Sequence, residues 1–449
     1  EDAKDLDDAV RVIKLENGNY RLDVHIADVS HYVKENSLLD NEALIRGTSI
    51  YMLGRVIPML PRELSNGLCS LNAGQDRYTL SCSMEINPEG KTVSAKVYKG
   101  IINVCERMNY HDVQKILDKS DEKVLKRYEK YIKNFELMEE LATILKNRRL
   151  EQGYLNLDIP ESKIELDEDG RVVSIGKYET SFSNEIIEQF MLSANETIAE
   201  KFYWLDAPFI YRVHEDPDID KIKDLNKFLF NFGLKIKIVN DKVYPTEVSK
   251  ILEEIKGKEE EKVISTFILR TLKLARYEAE NKGHFGIASK YYCHFTSPIR
   301  RYPDLFIHRI ISKYLEDNYV VNDSWVEDYK EKATQRAATS SEREKIATKV
   351  ERDSEDMKKA EFMQDKIGEE FDGIVSSVTQ FGIFVELENT VEGLIRFENL
   401  GNEYFIYDEE RKRLIGEKSN KTYKIGDKVK IRVISANKIL RQIDFEIVD

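Results

Sequence analysis

EDAKDLDDAV, residues 1–10, precedes LDVHIADVSHYV, residues 22–33, a run of alternating and β-branched apolar residues. The run predicts a core strand, so the acids before it border a folded sheet rather than a loose tail. In an extended segment alternate side chains share a face, and a turn after Asp7 would gather Asp5, Asp7 and Asp8 around one point. Hard divalent cations bind such oxygen clusters. The alternative is a solvated acidic terminus.

Composition limits the class of protein. The 449 residues suffice for two or three domains with a large core. The net charge of −13 argues against a nucleic-acid partner, although a local basic groove can coexist with an acidic surface. No apolar run is long enough to span a membrane. The cysteines lack metal-ligand spacing, which argues against a zinc site and a disulfide framework and favours the cytoplasm. They are Cys69, Cys82, Cys105 and Cys293.

Periodicity predicts an α+β organisation. Residues 19–100 are strand-rich, and a helical period begins at Tyr110. SKIELDEDGRVVSIGKYE predicts a hairpin. Further helices are predicted at about 184–204, 218–232, 246–255 and 261–281. ASKYYCHFT predicts a strand, and a helix is expected to begin near Pro303.

The last third predicts a connector and a barrel. Residues 322–366 have the pattern of a long charged helix whose thin apolar stripe suggests a position on a domain surface. That stripe consists of Ile346, Val350, Met357 and Phe362. After Gly368 five short strands in about 80 residues suit a small Greek-key barrel of the OB type. The expected fold is therefore a mixed α/β domain followed by a small all-β barrel.

Six motifs occur in order along the first 310 residues. They are EDAKDLDDAV, ADVSHYV, RGTSIYMLGRVIPMLPRELSNGLCSLN, IIEQFMLSANE, FIYRVHEDP and HFTSPIRRYPDLFIHR. Together they resemble the RNB catalytic domain of the ribonuclease R and ribonuclease II family, and are more similar to its ribonuclease R branch. The tail resembles the S1 RNA-binding domain that closes those enzymes. The expected domains are 1–318 (catalytic, truncated at its N-terminus), 319–366 (connecting helix) and 367–449 (S1).

The resemblance implies a processive, hydrolytic 3′→5′ exoribonuclease that releases nucleoside 5′-monophosphates. The implied cofactor is Mg²⁺, as one or two ions, with Mn²⁺ as a substitute. The implied partner is single-stranded RNA or RNA with a 3′ overhang, bound by a cytoplasmic monomer. In the family a further Asp stands upstream of the position of Glu1, and cold-shock-type domains precede the catalytic one. The chain is therefore expected to be a fragment with reduced activity.

The family's catalytic roles map onto a few residues. Asp5, Asp7 and Asp8 match metal-binding acids, and catalysis depends most on the acid matched by Asp7. Arg300 matches the arginine that stabilises charge at the scissile phosphate, which suits the guanidinium fork. Arg301 is a further candidate for binding RNA. For both arginines the alternative is a structural ion pair, for instance with Asp304.

Other residues match contacts to the terminal nucleotides. Tyr51 and Tyr110 match aromatics that stack on bases, and both Tyr110 and Glu188 are also counted among the catalytic residues. Glu188 matches a residue that touches a ribose, and Asn195 lies seven residues later on the same helix face. Polar groups on the apolar side of a buried helix need partners, which makes both site candidates. Leu157 stands where relatives often have a clamping Phe, so a softer clamp is expected.

The S1-like tail interleaves aromatic and glycine residues. Phe381 and Phe384 are predicted not to face inward together, and Phe381 is the candidate for RNA stacking. Six basic residues form either a track for the RNA backbone or a solvated loop. These are Arg411, Lys412, Arg413, Lys418, Lys421 and Lys424. The seven histidines show no metal-ligand spacing and are interpreted as structural, with His284 and His294 the weakest cases.

Two other functions remain open at this stage. One is an RNA-binding protein whose catalytic domain is inactive or impaired by truncation; it would bind RNA without metal-dependent products. The other is phosphorolytic degradation, which would require inorganic phosphate and yield nucleoside diphosphates. The acidic cluster is not the signature of phosphorolysis.

Overall fold

The computed structural model describes residues 4–157, 161–178, 180–258, 260–401, 403–409 and 412–448. In these ranges a mixed α/β body is followed by a long helix and a closed β-barrel, which confirms the predicted fold class.

An antiparallel sheet lies at the centre of the N-terminal body. The first strands are β1 (Asp8–Lys14), β2 (Tyr20–Ala27), β3 (Ile50–Met52), β4 (Arg55–Ile57), β5 (Asp76–Ile86) and β6 (Thr92–Asn103). The sheet order is β1-β2-β5-β6, and β3 and β4 form a separate hairpin. Leu22, Val24 and Ile26 alternate along β2 and are fully buried, because every second side chain of a strand faces the same side. The sheet thereby fixes where β1 begins, next to the acidic residues.

Helices and short strands surround this sheet. The helices are α1 (Val29–Tyr32), α2 (Leu38–Arg46), α3 (Tyr110–Leu117), α4 (Glu122–Arg127), α5 (Ile132–Gln152), α6 (Phe182–Trp204), α7 (Ile219–Leu229), α8 (Pro245–Ile255), α9 (Glu261–Thr271) and α10 (Tyr302–Glu316). The strands between them are β7 (Ser162–Leu166), β8 (Val172–Lys177), β9 (Tyr211–Val213) and β10 (Arg276–Glu278). The predicted hairpin is confirmed as β7–β8, and α6 lies where a helix was predicted.

Two predicted extents were wrong near β2 and α9. The strand predicted over residues 22–33 ends at Ala27, because the Asp28 side chain caps α1 by accepting the His31 N–H. The helix predicted over 261–281 ends at Thr271, and the chain then forms β10, which pairs with β9.

The strand predicted for ASKYYCHFT, residues 288–296, was also wrong. The segment has one isolated bridge, at Ser289, but joins no strand ladder. The Asn195 side chain accepts the Phe295 N–H, and the Tyr292 carbonyl accepts the Arg212 N–H. Isolated tertiary hydrogen bonds therefore replace a ladder.

The C-terminal third contains α11 (Asp323–Gln364) and the predicted barrel. The strands of this third of the chain are β11 (Glu370–Thr379), β12 (Gly382–Leu387), β13 (Glu392–Arg396), β14 (Phe405–Asp408), β15 (Arg413–Gly416), β16 (Thr422–Lys424), β17 (Lys428–Asn437) and β18 (Gln442–Ile447). The closed barrel has the order β11-β12-β13-β18-β17. Strands β14 to β16 form a separate three-stranded sheet, which was not predicted.

The apolar face of α11 differs from the predicted stripe. Ile346 and Met357 are exposed, whereas Ala337 and Ala347 are buried. Small residues face inward because α11 packs closely against other backbone, as at Gly47, where an added Cβ would lie 2.6 Å from the Cβ of Arg343. The helix is therefore packed against the body rather than lying on a domain surface.

Two further properties follow from the described residues. None of their helices is both long enough and apolar enough to cross a membrane. All four cysteines are free thiols, and three of them are buried.

Candidate active site

Asp7 is the buried carboxylate at the start of the central sheet. It directly precedes β1, and its carbonyl accepts the Ala27 N–H at 2.8 Å, which anchors it beside β2. Its side chain is 5% exposed, and Oδ1 accepts the Ile299 N–H at 2.9 Å. The bond from Ile299 fixes the carboxylate and leaves Oδ2 available to other groups.

Arg300 faces Asp7 from the loop before α10. Its Nε lies 3.7 Å from Asp7 Oδ2, and Nη2 donates to Ser297 Oγ at 3.1 Å. The Arg300 carbonyl accepts from the Ser49 N–H at 2.9 Å and from the Thr48 hydroxyl at 3.0 Å. The Arg300 side chain is still 42% exposed, so a bound phosphate could reach it.

The electrostatics of this pair are unusual. Burial raises the pKa of Asp7 well above its usual range, and the nearby Arg300 only partly opposes that increase. Loss of hydration raises the pKa of Asp8 as well, although part of the residue remains exposed. Burial, which Arg300 offsets only in part, therefore disfavours the charged forms of both carboxylates.

Asp5 joins the site through Tyr51. The Tyr51 hydroxyl donates to Asp5 Oδ2 at 2.9 Å, and the Tyr51 N–H donates to Glu351 Oε1 of α11 at 2.7 Å. Burial and the neighbouring Asp5 raise the pKa of Tyr51, so its hydroxyl stays protonated. Among the described residues no three acidic, histidine or cysteine side chains form a group that could hold a metal. The expected gathering of Asp5, Asp7 and Asp8 around one point is therefore not found.

Tyr110 and Glu188 are linked by the contact of α3 with α6. The Ser183 hydroxyl of α6 donates to the carbonyl of Tyr110, the first residue of α3, at 2.8 Å. Burial followed by the charge of Asp8 raises the pKa of Tyr110, which puts this tyrosine within the field of the acidic site. Glu188 lies five residues after Ser183, about 7.5 Å along the helix axis, and accepts the Tyr154 hydroxyl at 2.8 Å.

Asn195 and Arg301 are not presented to an open surface. Asn195 is buried; Oδ1 accepts the Phe295 N–H at 2.9 Å, and Nδ2 donates to the Tyr292 hydroxyl at 3.2 Å. Arg301 forms a two-pronged pair with the fully buried Asp304, at 2.7 and 3.0 Å. The structural ion pair considered from the sequence is thus found at Arg301. Both side chains support the segment that carries Arg300.

Phe381 lies on the barrel, between β11 and β12. It is 46% exposed, and its ring packs edge-on against Phe384 at 6.3 Å. Both rings line a groove with Arg396, whereas Ile383 between them faces inward. As predicted, the two phenylalanines do not both face the interior of the barrel. Both lie at the groove.

The six basic residues of the tail and the histidines have other environments. Five of the basic residues lie on the β14–β16 sheet and its turns, where Arg413 pairs with Asp408 at 3.0 Å; Arg411 lies outside the described residues. His294 is bonded to the Tyr277 hydroxyl at 2.8 Å, and burial lowers the pKa of His284 to about 3. The hydrogen bond of His294 and the burial of His284 agree with a structural role for both histidines.

Sequence reasoning missed three participants. Ile299 acts through its backbone N–H, Glu351 holds the Tyr51 backbone, and Tyr154 holds Glu188. A backbone contact leaves no sequence signal. Tyr154, which follows Gly153 at the end of a helix, resembles an ordinary loop residue.

Comparison with protein families assigns both parts of the chain. A model described as RNB domain matches residues 1–317, and one described as S1 RNA binding domain matches residues 364–447. The chain belongs to the RNB family.

Several relatives and solved structures that this chain is similar to are ribonucleases R. The chain is 46% identical to ribonuclease R 1 of Lactococcus lactis over 99% of its length and 54% of the relative's. It is 44% identical to ribonuclease R of Thermotoga maritima over 100% of its length and 63% of the relative's. The structure of Mycoplasma genitalium RNase R in complex with ribose methylated single-stranded RNA matches with a TM-score of 0.93 at 32% identity, covering 100% of this chain and 69% of that one. The chain thus spans about half to two thirds of these proteins.

Proposed function

We propose that this RNB protein is a processive, hydrolytic 3′→5′ exoribonuclease that releases nucleoside 5′-monophosphates. The observation that carries the proposal is the pairing of the buried Asp7 carboxylate with the exposed Arg300 guanidinium, 3.7 Å apart. Tyr51 and Tyr110 lie within the electrostatic field of that pair. The similarity to ribonucleases R supports RNA as the substrate.

A divalent cation fits the donor set. RNB exoribonucleases depend on divalent metal. Among the described residues, Asp7 Oδ2 has only the distant Arg300, and Asp8 makes no side-chain hydrogen bond to another of them. Their raised pKa values are typical of carboxylates that lack a compensating cation. Mg²⁺ usually takes one or two carboxylates plus substrate phosphates, so a three-ligand protein cage is not needed.

Asp7 and Asp8 would hold the cation, with Asp5 beside them through Tyr51. We propose Mg²⁺, as one or two ions, with Mn²⁺ as a substitute. When bound, the metal supplies Lewis-acid stabilisation of charge on the phosphate.

The protein groups then have separate tasks. Arg300 stabilises negative charge on the scissile phosphate, where its fork suits two oxygens. Tyr51 and Tyr110 stack on the last bases, and Glu188 accepts a hydrogen bond from a ribose hydroxyl. Attack of water on phosphorus expels the 3′-oxygen of the shortened chain. The phosphate therefore leaves on the 5′-oxygen of the released nucleotide.

The remaining assignments belong to the same proposal. Phe381 at the barrel groove binds the incoming single strand by stacking. Residues 1–318 are the catalytic domain, 319–366 the connector and 367–449 the S1 domain. The protein acts as a cytoplasmic monomer on single-stranded RNA or on RNA with a 3′ overhang.

The test compares the wild type with Asp7→Asn on 5′-labelled single-stranded RNA in Mg²⁺ without phosphate. We expect a ladder that shortens from the 3′ end and loss of rate by about 10²–10³-fold in the variant, as when one charge-stabilising group is removed. Asn keeps an acceptor for Ile299 and removes a buried charge, so Tm should not fall. Asp224→Asn, on the exposed side of α7, is the isosteric control.

Two results would contradict the proposal. Nucleoside diphosphates that appear only with added phosphate would indicate phosphorolysis. Tight RNA binding without products from the wild type would indicate an RNA-binding protein with an impaired catalytic domain. The absence of a three-ligand acidic group among the described residues is the observation in favour of that second candidate.

A further inference from the structure

Tyr154 is the direct hydrogen-bond partner of Glu188. Its hydroxyl donates to Glu188 Oε1 at 2.8 Å, although the two residues are 34 positions apart. Tyr154 is half-buried, while Glu188 is exposed. The contact therefore joins a residue held in the fold to one that a ligand can reach.

The backbone of Tyr154 is held on both sides. Its N–H donates to the Arg149 carbonyl at 2.9 Å, and its carbonyl accepts the Ser249 hydroxyl at 3.3 Å. Gly153 before it has φ +97°, and a Cβ there would lie 2.4 Å from the backbone nitrogen of Thr246. Only glycine suits such a position, because any side chain would clash with the Thr246 backbone.

Arg149 couples this turn to the helix that carries Glu188. The buried guanidinium donates to Gln189 Oε1 at 2.9 Å, to Ser193 Oγ at 3.1 Å and to Glu196 Oε1 at 2.7 Å. These partners lie on α6 directly after Glu188. The end of α5 and the middle of α6 are thus joined as one framework, which sets the position of both Tyr154 and Glu188.

We propose that Tyr154 is a positioning residue: it occupies one oxygen of Glu188 and aims the other at the 2′-hydroxyl of a ribose near the 3′ end. The inference rests on the proposed function and names a specificity determinant of that site. An ionised carboxylate only accepts hydrogen bonds, and a 2′-hydroxyl can donate one. With Oε1 taken, the hydroxyl is directed to Oε2.

The chemistry favours discrimination by this arrangement. Burial and the Glu188 charge raise the pKa of Tyr154, so it remains an O–H donor over the working range of pH. A site that is set to bond a substrate hydroxyl rejects an analogue lacking it more strongly than an apolar pocket does. Leu157, which stands where relatives often have a clamping Phe, packs against an apolar cluster of the helical region. The aromatic residue of this turn is Tyr154 instead.

The experiment measures discrimination rather than rate alone. Two 5′-labelled oligonucleotides of one sequence are compared, identical except that the two 3′-terminal nucleotides are ribose in one and 2′-deoxyribose in the other. The kcat/KM of the first cleavage is determined for the wild type, Tyr154→Phe and Glu188→Gln. Tyr203→Phe, at an exposed position on α6, is the matched control.

We expect the ribose-to-deoxyribose ratio to fall about tenfold in Tyr154→Phe, the worth of one hydrogen bond to a charged group, with Tm unchanged. The ratio should keep its wild-type value in Tyr203→Phe. In the Glu188→Gln background the Tyr154→Phe change should have no further effect on the ratio, because the two residues act as one unit.

One result would overturn the inference while the proposed function stands: an unchanged ratio in Tyr154→Phe, whether the kcat/KM values for both oligonucleotides stay the same or fall equally. A wild type that shortens neither oligonucleotide would overturn the proposed function and this inference with it.

Discussion

Arg300 and Arg301 are neighbours in sequence but lie in opposite environments. The Arg300 side chain is 42% exposed and faces Asp7, whereas Arg301 is 17% exposed and pairs with Asp304, which is fully buried. A buried carboxylate without its partner is costly, because it cannot recover its hydration. One arginine is therefore available to a ligand while the other belongs to the fold.

Alanine variants of the two arginines should have different effects, one on activity and the other on stability. Arg300→Ala should lower kcat on RNA by about 10²–10³-fold with little change in the free energy of unfolding. Arg301→Ala should lower that free energy by about 3–5 kcal/mol, because Asp304 loses its partner. Single-turnover kinetics and urea unfolding of both variants measure the two effects.

The reverse pattern would contradict this assignment. A stable Arg301→Ala protein with lost activity would place Arg301 at the substrate.

At the scale of elements, the β7–β8 hairpin belongs to the core of the barrel. Ile175 packs in one cluster with Ala360 and Met363 of α11 and with the barrel interior. Ser162 Oγ lies 2.8 Å from Thr390 Oγ1, and the carbonyl of Gly170 accepts from Lys358 at 2.6 Å. The S1 barrel is thus joined to the RNB part by shared apolar packing as well as by the helix.

Ile175→Ala should destabilise the barrel together with the hairpin. We expect a loss of about 2 kcal/mol, at the low end for large-to-small changes because Ile175 is near the edge of the cluster. Val173→Ala, on the same strand but 62% exposed, is the control and should change stability by less than about 0.5 kcal/mol. Urea unfolding, monitored by proteolysis at the barrel, measures both. Equal effects of the two changes would show that the hairpin does not stabilise the barrel.

For the whole molecule, the charge of −13 must be reconciled with the proposed binding of RNA. Basic residues at the groove of Phe381 are paired with acids: Arg396 with Asp444 at 3.6 Å and Lys359 with Glu355 at 2.8 Å. Stacking is therefore expected to carry much of the affinity, and few phosphates should be neutralised.

Affinity for single-stranded RNA should consequently depend only moderately on salt. The plot of log K against log salt should have a slope of about −2 to −3, as for three or four neutralised phosphates. Fluorescence anisotropy with Asp7→Asn in EDTA measures binding without cleavage. A flat plot or a slope steeper than about −6 would contradict a mainly stacking interface.

The sequence by itself determined the features that depend on neighbouring residues. The bounds of α6, the β7–β8 hairpin, the closed barrel and the position of the acids before β1 all follow from periodicity and turn residues, which are local. The motifs also sufficed to identify the RNB family.

Only the tertiary structure decided which residues meet. Asp7 accepts from a backbone N–H 292 residues away, and the segment of residues 288–296 takes its bonds from Asn195 and Arg212 instead of a ladder. Tyr154 reaches Glu188 because Arg149 joins their two helices. Such contacts depend on how distant elements pack, and no local pattern encodes that arrangement.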